Sequence, residues 1–134
     1  MAKAATLFDK AAANWRLASY ILSGLQDDEE QLNFAGYHLQ QAFELALKFL
    51  LEQNGVEYPK THDVERLISL GSEEGVDLML DDYLDDHAEM FSSWESRSRY
   101  VIGYLVEERK LRRALSAIDA YLTRIATAFG GDAR

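Results

Sequence analysis

Apolar residues recur along most of this chain at helical spacing. Phe8, Ala11, Trp15, Ala18, Leu22 and Leu25 alternate steps of three and four, which predicts a helix over about residues 4–25. Leu111, Leu115, Ile118, Leu122, Ile125 and Phe129 do the same and predict a helix over about 107–129, closed by Gly130-Gly131. Between them, Leu39, Ala42, Phe43, Ala46, Leu47 and Leu50 form the apolar stripe of a helix over about 32–53. Asn54-Gly55 stops that helix by supplying a left-handed residue.

The connections follow from polar and turn-forming residues. SGLQDDEEQ breaks the first apolar pattern and predicts a polar loop. Tyr58-Pro59 bars an immediate helix restart, because the residue before proline avoids the α region. Thr61 or His62 is then the expected N-cap of a short helix over 63–70. Asp63 and Glu65 meet the positive end of its dipole, and Gly71-Ser72 ends it. Val76, Met79, Leu80, Tyr83, His87, Met90, Phe91 and Trp94 share one stripe of a further helix over about 74–96. RYVIGYLVEE has no clear helical period and reads as irregular or extended. No strand-like alternation competes. The expected fold is all-α, one domain over 1–134: an antiparallel up-and-down four-helix bundle with one extra short helix.

Composition narrows the class. Hydrophobic residues make up 48% and charged residues 28%, as in a soluble globular protein. A membrane span would need about 18 consecutive apolar residues, and the chain has no such run. Asp9 and Lys10 interrupt the N-terminal stretch where a secretory leader would need an unbroken apolar core. The absence of cysteine excludes disulfides, thiolate metal sites and cysteine nucleophiles, and fits a cytoplasmic location. A net charge of −9 disfavours capture of long nucleic acid, which needs a concentrated positive surface. Charge is nonetheless segregated. Nine carboxylates and no Lys or Arg lie between Glu73 and Glu95, and Arg97, Arg99, Arg109, Lys110, Arg112 and Arg113 follow.

The candidate chemistry lies on the second helix. Tyr37, Gln41, Glu44 and Lys48 step along a face apart from the core stripe, with His38 and Leu45 beside it. One reading is a solvated face on which Glu44 and Lys48 form an i,i+4 ion pair. The other is a polar seam lining a cleft or dimer interface, with Lys48 as the partner of a phosphate. His87 falls on an apolar stripe and reads as a hydrogen-bonded core histidine. His62 either orders the turn before the short helix or belongs to a site. Asp81, Asp82, Asp85, Asp86 and Glu89 are read as a solvated acidic face rather than a metal site. Trp15 and Trp94 are read as core, and no glycine-rich phosphate loop or serine–histidine–acid set is present.

HLQQAFELALKFLL, followed by PKTHD and later SRY, resembles the HEPN domain family over about residues 5–127. The resemblance is carried by His38, Gln40, Gln41, Ala42, Glu44 and Lys48, by Thr61, His62 and Asp63, and by Arg99 and Tyr100. It implies a helical bundle, frequently dimeric, associated with nucleotides or RNA and often paired with a minimal nucleotidyltransferase. Many members of that family are ribonucleases, often toxins, built on an arginine followed after four to six residues by a histidine. In such a pair histidine moves the proton and arginine offsets charge on the phosphorane. Here the corresponding positions after Arg99 are Tyr104, Leu105 and Val106, and after Arg97 they are Ile102, Gly103 and Tyr104. No histidine follows residue 87. The ribonuclease signature is therefore missing, since tyrosine is a poor base at neutral pH.

The expected function is a HEPN-like binding or regulatory module for a nucleotide-sized anionic ligand, acting with a protein partner and without a cofactor. Its expected ligand contacts are Gln41, Lys48, Lys60, His62 and Arg99. The amide would supply hydrogen bonds and the cations would compensate phosphate charge. One rival is a divergent, metal-independent ribonuclease, the toxin of a toxin–antitoxin pair, using Arg99 with Tyr104 or a histidine from elsewhere. Another is a ligand-free homodimeric scaffold. Phe34, Leu45, Phe49 and Leu51 lie off the core stripe of the second helix and favour a homodimer.

Overall fold

A computed structural model describes residues 6–24, 28–100 and 106–130, with backbone only for 97–100. Among the described residues every regular element is a helix, so the chain is all-α. The elements are α1 (Leu7–Gly24), α2 (Glu29–Gln53), α3 (Val64–Glu73), α4 (Asp82–Asp86), α5 (Ala88–Tyr100) and α6 (Glu108–Ala128). No helix among these residues is long and apolar enough to cross a membrane.

Helix α2 forms the centre and packs against α1, α3, α5 and α6. Its Phe43 ring meets Phe91 of α5 edge-on at 5.0 Å and Tyr121 of α6 at 5.8 Å. Such aromatic contacts add to the apolar burial that holds these helices together. Phe8 of α1 meets Phe49 at 5.7 Å, and Asn14 meets His38, so α1 runs antiparallel to α2. Trp15 donates its indole N–H to the Leu115 carbonyl at 2.8 Å and ties α1 to α6. Trp94 is buried, so both tryptophans serve the core.

Several boundaries differ from the sequence expectation, each for a local reason. Part of the expected polar loop is helix: Asp28 accepts from the Glu30 and Gln31 amides and caps α2, which starts at Glu29, three residues before the expected start at 32. Helix α3 is capped by Asp63 rather than Thr61 or His62, and it continues through Gly71-Ser72. Gly71 does not stop it. Gly71 is buried against Leu78, and a Cβ there would lie 2.5 Å from the Leu78 Cδ1. The helix ends at Glu73 with Glu74 as its C-cap, and the positive φ of Gly75 just beyond lets the Val76 amide reach the Gly71 carbonyl at 2.9 Å.

The long helix expected over 74–96 is interrupted. Residues 76–81 are not helical. Asp77 binds the Met79 amide at 2.9 Å, and Met79 itself has a positive φ of 58°. Asp81 then caps the short α4. From α6, Tyr121 donates to the Leu78 carbonyl at 2.8 Å, while the Arg124 guanidinium donates twice to the Met79 carbonyl at 3.2 Å. Aspartates that compete for backbone amides, together with α6 side chains that satisfy the freed carbonyls, overcome helical periodicity here. Arg99 and Tyr100, expected in an irregular stretch, close α5, and residues 101–105 lie outside the described set.

Candidate functional site

One carboxylate organises the polar face of α2. Gln40, Glu44 and Lys48 are spaced four residues apart and therefore stack on one side of the helix. Gln40 Nε2 donates to Glu44 Oε1 at 2.8 Å, and Lys48 Nζ donates to Glu44 Oε2 at 2.8 Å. His62, which lies just before α3, brings its Nδ1 to 3.0 Å from Glu44 Oε1. The Gln40 amide also donates to the His62 carbonyl at 3.0 Å, and its own oxygen accepts from Gln41 Nε2 at 3.0 Å. Two segments 18 residues apart are thereby joined through one side chain.

This is not a solvated surface. Glu44 is 2% exposed, Gln40 is fully buried, and the Lys48 side chain is 13% exposed. The Glu44–Lys48 pair anticipated on an open helix face is real in its spacing but sits largely out of water. The Lys48 ammonium also lies 5.6 Å from the Tyr58 ring centroid, an added cation–π contact. Burial, followed by the Glu52 charge, raises the Tyr58 phenol above its ordinary range. The His62 side chain, by contrast, is 61% exposed. The arrangement is a ring anchored at one nitrogen and open to solvent on the rest of its surface.

The expected ligand contacts divide accordingly. Gln41, Lys48 and His62 gather around Glu44, directly or through Gln40, and Lys60 is exposed two residues before His62. The Arg99 side chain lies outside the described residues. Its backbone stands seven residues beyond Ser92 in α5, about 10 Å along the axis. Ser92 itself donates to Asp63 at 3.3 Å, beside His62. Tyr104 lies outside the described residues.

Glu44 and Gln40 are the members that the sequence-based choice of site residues omitted. Their four-residue spacing with Lys48 was the available signal. It could not show that the carboxylate would be buried with three polar side chains, Gln40, Lys48 and His62, against it.

His38, His87, Arg112 and Arg113 serve other contacts. His38 meets Asn14 Oδ1 at 2.8 Å, and burial lowers its pKa below 6.5. His87 donates from Nδ1 to the Tyr83 carbonyl at 2.8 Å and stacks on the Tyr83 ring at 4.2 Å. Arg112 donates to the Leu22 carbonyl and to Glu108, and Arg113 lies over Tyr83. Among the described residues no group of three or more His, Asp or Glu side chains is placed to hold a metal ion. Off the α2 stripe, Phe49 and Leu51 are buried and Leu45 packs on the core, so most of the apolar excess read from sequence is internal. Phe34 stays exposed, as do Leu17 and Tyr20.

An all-helical chain with a buried Gln–Glu–Lys ladder closed by a Thr-His-Asp turn defines the class. The family model of the HEPN domain matches residues 7–125, nearly the full chain. The chain belongs to the HEPN domain family. No curated protein and no solved structure matches it.

Proposed function

We propose that the chain is a HEPN module that binds a small phosphate-bearing ligand of nucleotide size and regulates or assists a protein partner. One observation supports this reading. A buried carboxylate gathers polar groups from α2 and from the turn before α3, at a place where His62 and Lys60 stay open to solvent. Lys60 offsets phosphate charge, and His62 and Gln41 supply hydrogen bonds. Lys48 acts mainly by neutralising Glu44, so that an incoming anion does not meet an uncompensated carboxylate. Arg99, carried by the last turn of α5, is the further cation of this reading. A protein partner, whether a second copy or a nucleotidyltransferase, covers the exposed Leu17, Tyr20 and Phe34.

Thermal melting of the full chain against nucleoside mono-, di- and triphosphates tests the ligand. A stabilising shift is expected for the wild type. It should disappear in Lys60→Ala and His62→Asn and persist in Ser116→Ala, an exposed position on α6. Absence of any shift across the nucleotide panel would end this reading.

The low exposure of Lys48 favours a second reading, in which the cluster is a clasp that pins the 54–63 connection to α2. In that case Glu44 and Lys48 variants lose stability while no nucleotide shifts the melting temperature of the wild type.

A further inference from the structure

All three histidines have Nδ1 against an oxygen, but the oxygens differ. His38 faces the Asn14 side-chain amide and His87 faces a neutral backbone carbonyl, whereas His62 faces the Glu44 carboxylate. A carboxylate that also receives Gln40 and Lys48 donors can only accept from His62. In the neutral ring the His62 proton therefore sits on Nδ1, which leaves Nε2 as the nitrogen with the lone pair.

Glu44 is 2% exposed and held on both oxygens, so it cannot swing away from the ring. Gln40 also holds the His62 carbonyl. The ring is fixed at its inner edge, yet its side chain is 61% exposed. A carboxylate behind an imidazole fixes the tautomer and the orientation of the ring, so that the opposite nitrogen is presented as a nucleophile. Enclosed catalysis gains by excluding water from the substrate. A nucleophile this open suits a donor that reaches the surface.

We propose that His62 Nε2 accepts a phosphoryl group from a small phosphoramidate or acyl phosphate, with Glu44 as its positioning residue. The Nε2 lone pair attacks phosphorus, and the new N–P bond forms as the donor's P–N or P–O bond breaks. That bond's electron pair leaves with the donor, as an amine that takes a proton or as a carboxylate. The Nδ1 proton stays on the ring, and Glu44 offsets the positive charge the ring gains. Exposed Lys60 and Arg66 bracket His62 along the chain, Arg66 in the first turn of α3, and supply cations for the phosphoryl oxygens. The proposal does not depend on nucleotide binding.

The test incubates the full chain with potassium phosphoramidate and, separately, with acetyl phosphate. Mass spectrometry and phosphorus NMR then locate the product. One acid-labile, base-stable phosphoryl group on His62 is expected, formed at least about ten-fold faster than on His38 or His87. Glu44→Gln, checked for folding by circular dichroism, should slow labelling by about ten-fold or more. Nitrogen-15 NMR of the wild type reads the tautomer without any substitution, and His62 should carry its proton on Nδ1. Labelling of His87 as fast as His62, an unchanged rate in folded Glu44→Gln, an Nε2–H tautomer, or no adduct at all would each overturn the proposal.

Discussion

Lys48 Nζ stands 2.8 Å from Glu44 Oε2, and neither side chain exposes more than 13% of its surface. The desolvation cost of such a pair is large, and it is offset only while both partners and their hydrogen bonds are present. Replacing Lys48 by Met leaves a buried carboxylate without its cation. Urea denaturation should show a loss of about 3–5 kcal/mol for Lys48→Met. The double variant Glu44→Leu with Lys48→Met should recover much of that loss, because it removes both charges. A single variant as stable as the wild type would show that the pair contributes nothing.

The contact of Gly71 with Leu78 leads to a second test. A Cβ at Gly71 would lie 2.5 Å from Leu78 Cδ1 and 2.8 Å from Leu78 Cγ. Alanine normally favours a helix interior over glycine by about 1 kcal/mol. Here overpacking should reverse the sign, with Gly71→Ala destabilising by about 1–3 kcal/mol in equilibrium unfolding. Shortening Leu78 to Ala in the same background should relieve the clash, so that the two changes are not additive.

Tyr121 is buried, and its hydroxyl donates to the Leu78 carbonyl at 2.8 Å. Burial pushes its phenol far above the ordinary range, so it stays a donor at any working pH. Tyr121→Phe keeps the ring against Phe43 but orphans a buried acceptor in the non-helical 76–81 segment. The expected cost is about 1–3 kcal/mol. Amide hydrogen exchange should quicken at 76–81 before it does in α2 or α6.

His38 gives the pH dependence. Burial lowers its folded pKa below the unfolded value of 6.5, so the unfolded chain binds more protons between the two values. Above 6.5 both states are neutral and nothing is lost. As pH falls through 6.5 toward the lower folded value, this histidine progressively destabilises the fold. His38→Asn should therefore show a shallower decline in stability than the wild type over that window. Proton NMR should place the His38 midpoint below 6.5. A midpoint at or above 6.5 would contradict the burial argument.

What could be read from the chain alone was periodic or local. The apolar stripes of α1, α2 and α6 repeat every three or four residues, so the class and the long helices followed from spacing alone. Leu39, Phe43, Leu47, Leu111, Ile118 and Leu122 are all buried as that spacing demands. The Gln40-Glu44-Lys48 ladder and the Thr61-His62-Asp63 turn were equally visible as types and intervals. Their resemblance to the HEPN domain family agrees with the match over residues 7–125.

Tertiary structure decided which of these signals prevailed. It broke the helix expected over 74–96, because Asp77 and Asp81 claim backbone amides while Tyr121 and Arg124, more than 40 residues away, satisfy the carbonyls left behind. It turned Gly71 from a stop signal into a packing notch for Leu78. It also converted an apparently solvated Glu44–Lys48 pair into a buried centre, since α2 is covered on several sides and no helical wheel reports how many neighbours a helix has. Spacing along a chain fixes which face a side chain shares. Only the packing of distant segments determines whether that face meets water, another charge or the ring of His62.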